Sequence, residues 1–186
     1  ADRVLAEREA LLSSVEPLAQ RAAGSLLTRI HGDLHLGQVL VAHDDAYIID
    51  FEGEPARSLE ERRAKDCPLR DVAGMLRSFD YAGAKMDEAA VGKSSDESVS
   101  EVTHDVAERY LIASRRAFLE AYWQSTADIA HRWTSPEGAD AALELFVLEK
   151  TVYEIAYEAA NRPAWLGVPL RGLAAIVDQL SMRGAQ

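Results

Sequence analysis

The chain has 186 residues, 48% of them hydrophobic and 27% charged, and its 20 Lys and Arg against 31 Asp and Glu give a formal net charge of −11. That length suits one domain with a real core or one lobe of something larger. The charge disfavours non-specific attraction to nucleic acid or an anionic membrane, although a local cation or bound Mg²⁺ still permits ATP. No apolar run approaches the roughly 18 residues that suggest a membrane span. The single Cys67 lacks partners for a disulfide or a zinc-thiolate site, so a reducing cytoplasm is the expected compartment.

Residues 2–27 read as a helix, with Leu5, Leu11, Leu12, Val15 and Leu18 near helical spacing. Their opening, ADRVLAEREALL, is charged and helical and does not resemble a signal peptide. Two β-prone runs follow, QVLVA and AYIIDF, flanking HDD as in a hairpin. EGEPARSLEERRAKDCPL reads as a long polar connection of the kind that often carries function.

From Leu69 the pattern is helical: Val72, Met75, Leu76 and Phe79 share a face, and Asp71 suits the first turn. Residues 84–101 read as a polar, acidic, mobile linker. VTHDVAERYLIASRRAFLEAYWQST and EGADAALELFVLEKTVYEIAYEAANR are two long helices, the second starting near Pro136 and stopped by Pro163, and LRGLAAIVDQLSM is a last one. The expected fold class is mainly α with a small β-hairpin. Internal repeats and a dinucleotide-type glycine fingerprint are both missing.

The stretch HGDLHLGQVL, residues 31–40, admits two chemistries. On an extended chain His31, Asp33 and His35 would share a face as metallohydrolase ligands. The flanking glycines make a poor strand, however, and His43, His104 and His131 show no paired ligand spacing. Phosphoryl transfer explains more residues. It needs a carboxylate at the acceptor hydroxyl and oxygen ligands that place Mg²⁺ against the ATP phosphates, which protein kinases carry on H-R-D-x-x-x-x-N and D-F-G. Here His31-Gly32-Asp33, four residues and Gln38 keep the aspartate-to-amide spacing, and Asp50-Phe51-Glu52 follows after the hairpin. The hairpin would return the chain so that Gln38 and Asp50 share a metal. Read singly, Asp33 fits a turn cap and Asp50 an ordinary strand end.

The departures from the kinase pattern are informative. Gly32 stands where many protein kinases place an arginine that pairs with a phosphorylated loop, which points to a small-molecule kinase. Gln38 is one methylene longer than asparagine, and Glu52 adds a carboxylate near the site. His31 reads as a structural support of the loop, and His35 as either core or acceptor contact. Arg57, Arg62, Arg63 and Lys65 read as a solvated face balanced by Glu60 and Glu61, with a phosphate contact as the sharper alternative.

These strings resemble the aminoglycoside phosphotransferase-like kinases and, within them, the actinobacterial maltose kinases (maltokinases). The resemblance rests on HGDLHLGQVL, IIDFEGEP, KDCPLRDVAGMLRSFDYA and EKTVYEIAYEAANRPAW, and spans about residues 28–183. It implies the C-terminal lobe of a protein kinase-like fold over residues 1–186, with Asp33 as catalytic base and Gln38 and Asp50 as Mg²⁺ ligands. It further implies ATP-dependent phosphorylation of maltose to maltose 1-phosphate for α-glucan and glycogen synthesis, with trehalose synthase as an associated partner. A kinase of this group also needs an N-terminal, ATP-covering lobe. Only some 30 residues precede His31, so that lobe is expected to be missing and the chain to have little activity alone.

For the acceptor, Lys150, Tyr153, Glu154, Tyr157 and Asn161 fall at i, i+3, i+4 and i+7 spacings as a polar-aromatic stripe, followed by Trp165. Leu145, Leu148, Val152, Ile155 and Ala159 form a separate apolar stripe for the core. The bland alternative makes Tyr153 and Tyr157 core-edge residues with wetted hydroxyls. Asp66 and Asp71 would orient the loop or reach the acceptor, Asp66 being the site candidate. Three classes therefore compete: the catalytic lobe of a sugar kinase, a non-catalytic sugar-binding or interaction module of kinase ancestry, and the metallohydrolase.

Overall fold

The computed structural model describes residue 6 and residues 8–91, 97–129 and 135–184. In chain order these form α1 (Arg8–Ala22), a 3₁₀ turn (Leu36–Gln38), β1 (Val39–Ala42), β2 (Asp45–Ile48), α2 (Leu59–Arg63), α3 (Leu69–Val91), α4 (Glu97–Ser125), α5 (Pro136–Asn161), a second 3₁₀ turn (Pro163–Trp165) and α6 (Gly167–Gly184). The described residues are mostly helical with one two-stranded sheet, as the patterning implied. The chain divides into two units, Ala1–Met75 with His131–Gln186, and Leu76–Ala130. Among the described residues no helix is long and apolar enough to cross a membrane.

In the first unit α1 packs on α5 and α6. Leu148, Leu173 and Ile176 form the centre, with Leu11, Val147, Ile155 and Leu180 against them. Full burial of each such side chain contributes about 1.5–3 kcal/mol. The inward line of α1 is Leu11, Ser14 and Leu18, whereas the expected Leu12 and Val15 face outward; Leu5 lies outside the described residues.

α5 also departs from expectation. Leu148 and Ile155 turn inward, but Val152 is 50% exposed and Ala159 is exposed. The buried line runs Leu148, Thr151, Glu154 and Glu158, so polar residues continue the packed face. Thr151 and Glu158 are tolerated there because they are hydrogen-bonded. The Thr151 hydroxyl donates to the Val147 carbonyl at 2.7 Å, and Glu158 accepts from Arg162 Nε at 2.9 Å and Nη2 at 2.5 Å. Ser135 caps the start of α5, accepting from the Gly138 amide at 3.0 Å, and Pro163 halts the helix at Asn161 by restricting the residue before it.

β1 and β2 pair in register from Val39↔Ile48 to Ala42↔Asp45. The turn between them is two residues, His43 and Asp44, at φ 53° and 62°. Positive φ at both positions is the type I′ geometry that matches strand twist, and His and Asp are among the residues that tolerate it. The connection after the hairpin is not structureless. Ser58 and Glu61 form a capping box that starts α2: Glu61 N donates to Ser58 Oγ at 3.3 Å and Ser58 N to Glu61 Oε2 at 2.8 Å. Paired backbone bonds between Thr28 and Asp66, both 3.0 Å, then bring the chain to α3.

Leu69, Val72, Ala73 and Met75 at the head of α3 are buried, and the expected face continues with Leu76 and Phe79. The linker expected over residues 84–101 is corrected at both ends. α3 runs on to Val91 and α4 begins at Glu97, while residues 92–96 lie outside the described ones. Amphipathic helix periodicity outlasts the polar composition that suggested a break. Within the second unit Phe79 and Phe118 meet edge to face at 5.9 Å, and Asp80 accepts from both Arg77 and Arg115.

Candidate active site

The loop holding His31, Gly32 and Asp33 is fixed from two sides. From α3, Asp71 accepts the His31 amide on Oδ2 at 2.7 Å and the Gly32 amide on Oδ1 at 2.8 Å. Burial pushes the Asp71 carboxyl above its ordinary value, although those two amides pull the other way. From the hairpin side, His31 Nε2 lies 2.7 Å from the Ile49 carbonyl, and the Asp33 amide is 3.3 Å from Nδ1. A carbonyl only accepts and an amide N–H only donates, so the ring is the Nε2–H tautomer with both nitrogens engaged.

Gly32 has φ +85°, and a Cβ there would meet Gly53 Cα at 3.1 Å. An arginine at this position has neither the backbone conformation nor the space. Gly74 allows a second close approach, since a Cβ would lie 2.6 Å from the Leu34 carbonyl oxygen. α3 therefore presses directly on the residue beside Asp33.

The hairpin brings the amide and the second aspartate together. Ile49 N donates to the Gln38 carbonyl at 3.0 Å, and Gln38 Nε2 donates to Asp50 Oδ2 at 3.1 Å. Asp50 itself sits at φ 63°, a left-handed conformation that turns its side chain at the end of β2. This amide–carboxylate pair fits Mg²⁺, a hard cation taking oxygen donors, once the amide presents Oε1. Among the described residues no group of three or more His, Cys, Asp or Glu is placed to hold a metal.

Asp33 also lines a small, solvent-open cleft bounded by the loop, α3 and α5. Its wall includes Asp33, Glu54, Arg70, Glu149, Lys150 and Tyr153. Lys150 Nζ stands 3.4 Å from Asp33 Oδ1 and 3.3 Å from Glu54 Oε2, and the Tyr153 hydroxyl donates to Glu54 Oε1 at 3.1 Å. Burial, and then the Glu54 carboxylate, push the Tyr153 phenol up to about 12. Glu149 takes Arg70 Nη1 at 2.7 Å and Arg57 Nη2 at 3.4 Å, and the Arg70 guanidinium covers the Phe146 ring at 4.7 Å.

Of the residues singled out in the sequence, Asp33, Arg57, Asp71, Lys150 and Tyr153 line this cleft, and Gln38 and Asp50 meet beside the loop. The others lie elsewhere. Glu154 is buried on the packed face of α5. Tyr157 is exposed, its ring stacked 6.2 Å from that of Tyr153, and Asn161 bonds back to the Tyr157 carbonyl at 2.9 Å. Trp165 occupies the 3₁₀ turn after α5. Asp66 is taken up by Arg70 Nε at 2.7 Å and the Cys67 amide at 2.7 Å, and does not line the cleft. Of the two acidic candidates, Asp71 is the one that holds the loop. Glu52 is exposed; two residues on, Glu54 is the carboxylate that faces Asp33's ammonium partner.

The metallohydrolase set is not assembled. His31 is buried with both nitrogens committed, and His35 Nδ1 accepts the Gly37 amide at 3.0 Å. His35 serves as the cap of the 3₁₀ turn that carries Gln38. Glu54 follows Gly53, whose φ of +78° turns the chain between the two glutamates of DFEGEP.

No family model matches the chain. It is 29% identical over 147 residues to the glucosamine kinase of Streptacidiphilus jiangxiensis, covering 79% of this chain and 31% of that protein. It is 32% identical over 149 residues to the glucosamine kinase of Mycolicibacterium smegmatis, covering 80% of this chain and 34% of that protein. Among solved structures, a glucosamine kinase in its crystal form B matches with TM-score 0.67 and 25% identity over 94% of this chain and 46% of the other. A glucosamine kinase in complex with glucosamine, ADP and inorganic phosphate matches with TM-score 0.65 and 27% identity over 94% of this chain and 40% of that one. The chain thus spans about a third of the length of these curated relatives, and the fold it shares is that of less than half of each solved chain.

Proposed function

We propose that this chain is the catalytic, acceptor-binding lobe of an ATP-dependent sugar kinase whose acceptor is glucosamine. The observation that carries the reading is one juxtaposition. Asp33 lines an open cleft, and five residues further along the same loop Gln38 meets Asp50 across the hairpin. In this reading Asp33 orients the acceptor hydroxyl and takes its proton as that oxygen bonds to phosphorus. Gln38 and Asp50 hold Mg²⁺, which offsets the phosphate charge when bound. Asp71 and His31 hold the loop so that Asp33 does not wander from the acceptor.

A further, ATP-covering lobe fits the same reading. Leu40, Val41, Tyr47 and Ile48 of the hairpin are about half exposed or more, an unusual concentration of large apolar side chains. Relatives about three times as long as the matched region have chain enough to cover it. The acceptor is named from the relatives. Maltose, with its link to glycogen synthesis and trehalose synthase, rests on motif resemblance alone, and the comparisons favour glucosamine.

The test is acceptor-dependent ADP release by the protein carrying this chain, with ATP and Mg²⁺ and with glucosamine, glucose or maltose. Glucosamine is expected to give the highest kcat/KM, and Asp33→Asn to lower it by ~10²-fold or more. Release that no sugar stimulates would leave the non-catalytic module as the better reading. A preference for maltose would return the acceptor to the maltokinase assignment.

A further inference from the structure

The catalytic-loop motif contains no lysine, yet an ammonium stands beside its aspartate. It comes from α5, 117 residues away in sequence, as Lys150. A lysine side chain has about 2 kcal/mol of rotamer freedom and orients nothing unless it is itself held. Here it is held three ways: by Asp33 Oδ1 at 3.4 Å, by Glu54 Oε2 at 3.3 Å, and by the Tyr153 ring at 5.1 Å from its nitrogen. Glu54 is fixed in turn, because its other oxygen accepts the Tyr153 hydroxyl. The four side chains form a line from Tyr153 through Glu54 and Lys150 to Asp33, the last three partly shielded from solvent.

We propose that Lys150 is a positioning residue for phosphoryl transfer: it holds Asp33 through Oδ1, leaving Oδ2 to receive the acceptor proton, while Glu54 and Tyr153 hold Lys150. The inference rests on the reading of Asp33 as the base. Both ammonium contacts are long for charged partners, so Lys150 steers the carboxylate without closing on it as a tight pair. Glu54 divides the charge of Lys150 between two carboxylates. A hydrophobic side chain at 150 would leave Asp33 free to rotate, and a misplacement near 1 Å costs on the order of 10²-fold in rate.

The experiment compares Lys150→Met, Lys150→Arg and Glu54→Gln with wild type in the protein carrying this chain. Lys150→Met is expected to lower kcat on the order of 10²-fold with the acceptor KM little changed, the mark of an interaction used in the transition state. Lys150→Arg should recover much of the loss, since it keeps the cation, and Glu54→Gln should fall between. A second readout needs no turnover. Acylation of Lys150 by a lysine-selective reagent, followed by peptide mass spectrometry against the exposed Lys65, should quicken several-fold in Asp33→Asn and in Glu54→Gln. A Lys150→Met enzyme with wild-type kcat, one whose loss is wholly in acceptor KM, or labelling indifferent to both carboxylate variants would each overturn the inference. If the wild type itself releases no ADP with any sugar, the kinase reading falls instead.

Discussion

The glycine at position 74 sets two known effects against each other, and the structure says which wins. Replacing a helical glycine by alanine normally stabilises a helix by about 1 kcal/mol. At Gly74, however, the new Cβ would stand 2.6 Å from the Leu34 carbonyl oxygen and 3.7 Å from its carbon. Both are backbone atoms, so no side-chain rotation relieves the overlap, and either α3 or the loop that carries Asp33 must move. Overpacking of this kind costs about 1–3 kcal/mol. Gly83, further along the same helix, is the control. A Cβ there would meet nothing nearer than the Ala107 carbonyl oxygen and Leu111 Cβ, both at 4.0 Å. Gly83→Ala should therefore gain about 1 kcal/mol, and Gly74→Ala should lie about 1–3 kcal/mol below it.

Urea unfolding followed by circular dichroism reads this directly. With a slope of about 1–3 kcal/mol per molar urea, the two midpoints should separate by an amount on the order of 1 M, with slopes unchanged. Gly83→Ala is expected above wild type and Gly74→Ala at or below it. Coincident midpoints above wild type would refute the close approach of α3 to the loop, and with it the account of how Asp33 is held in place.

Gly32→Ala combines a left-handed backbone with a Cβ 3.1 Å from Gly53 Cα and should destabilise by about 2–4 kcal/mol, read as a lowered urea midpoint. Asp71 has a folded-state value raised above 3.8, so its stabilising contribution is complete below that pH and is lost as pH rises through the folded value. The stability of wild type relative to Asp71→Asn should accordingly fall over that window in urea midpoints taken at stepped pH. The Tyr153 phenol, held near 12 partly by Glu54, should ionise closer to 10 in Glu54→Gln, as measured by tyrosinate absorbance against a Tyr153→Phe background. Arg162→Ala removes two hydrogen bonds to the buried Glu158 and should cost about 1.5–3 kcal/mol in thermal or urea unfolding.

Local signals carried most of the architecture. The hairpin was readable because His43 and Asp44 tolerate positive φ between two β-branched runs, and α5 because Ser135, Pro136 and Pro163 mark its ends. α2 was equally readable from its S-x-x-E capping box, but polar composition drew attention away from it. The same bias turned residues 84–101 into a linker. There charge and small residues lower hydrophobicity without abolishing a helix, since Ala, Glu and Lys are good helix formers.

The site was legible where its parts are close in sequence and opaque where they are not. Asp33, Gln38 and Asp50 fall within 18 residues, and motif spacing plus one hairpin suffices to bring Gln38 against Asp50. The acceptor side depends on which face of α5 looks toward the loop, and there hydrophobicity misled. α5 buries Glu158, which Arg162 satisfies, and Glu154 beside it, while it leaves Val152 exposed. Periodicity correctly put Lys150 and Tyr153 on one side, but continued the stripe to Tyr157 and Asn161, beyond the cleft. Glu54 makes the physical point most sharply. Nothing about a glutamate in a polar loop distinguishes it until Gly53 turns the chain at φ +78° and Lys150 arrives 96 positions later. Residues that act directly on a reacting atom tend to sit in short motifs, whereas those that hold the actors in place are recruited from wherever the fold brings a helix past, and only the folded chain reveals them.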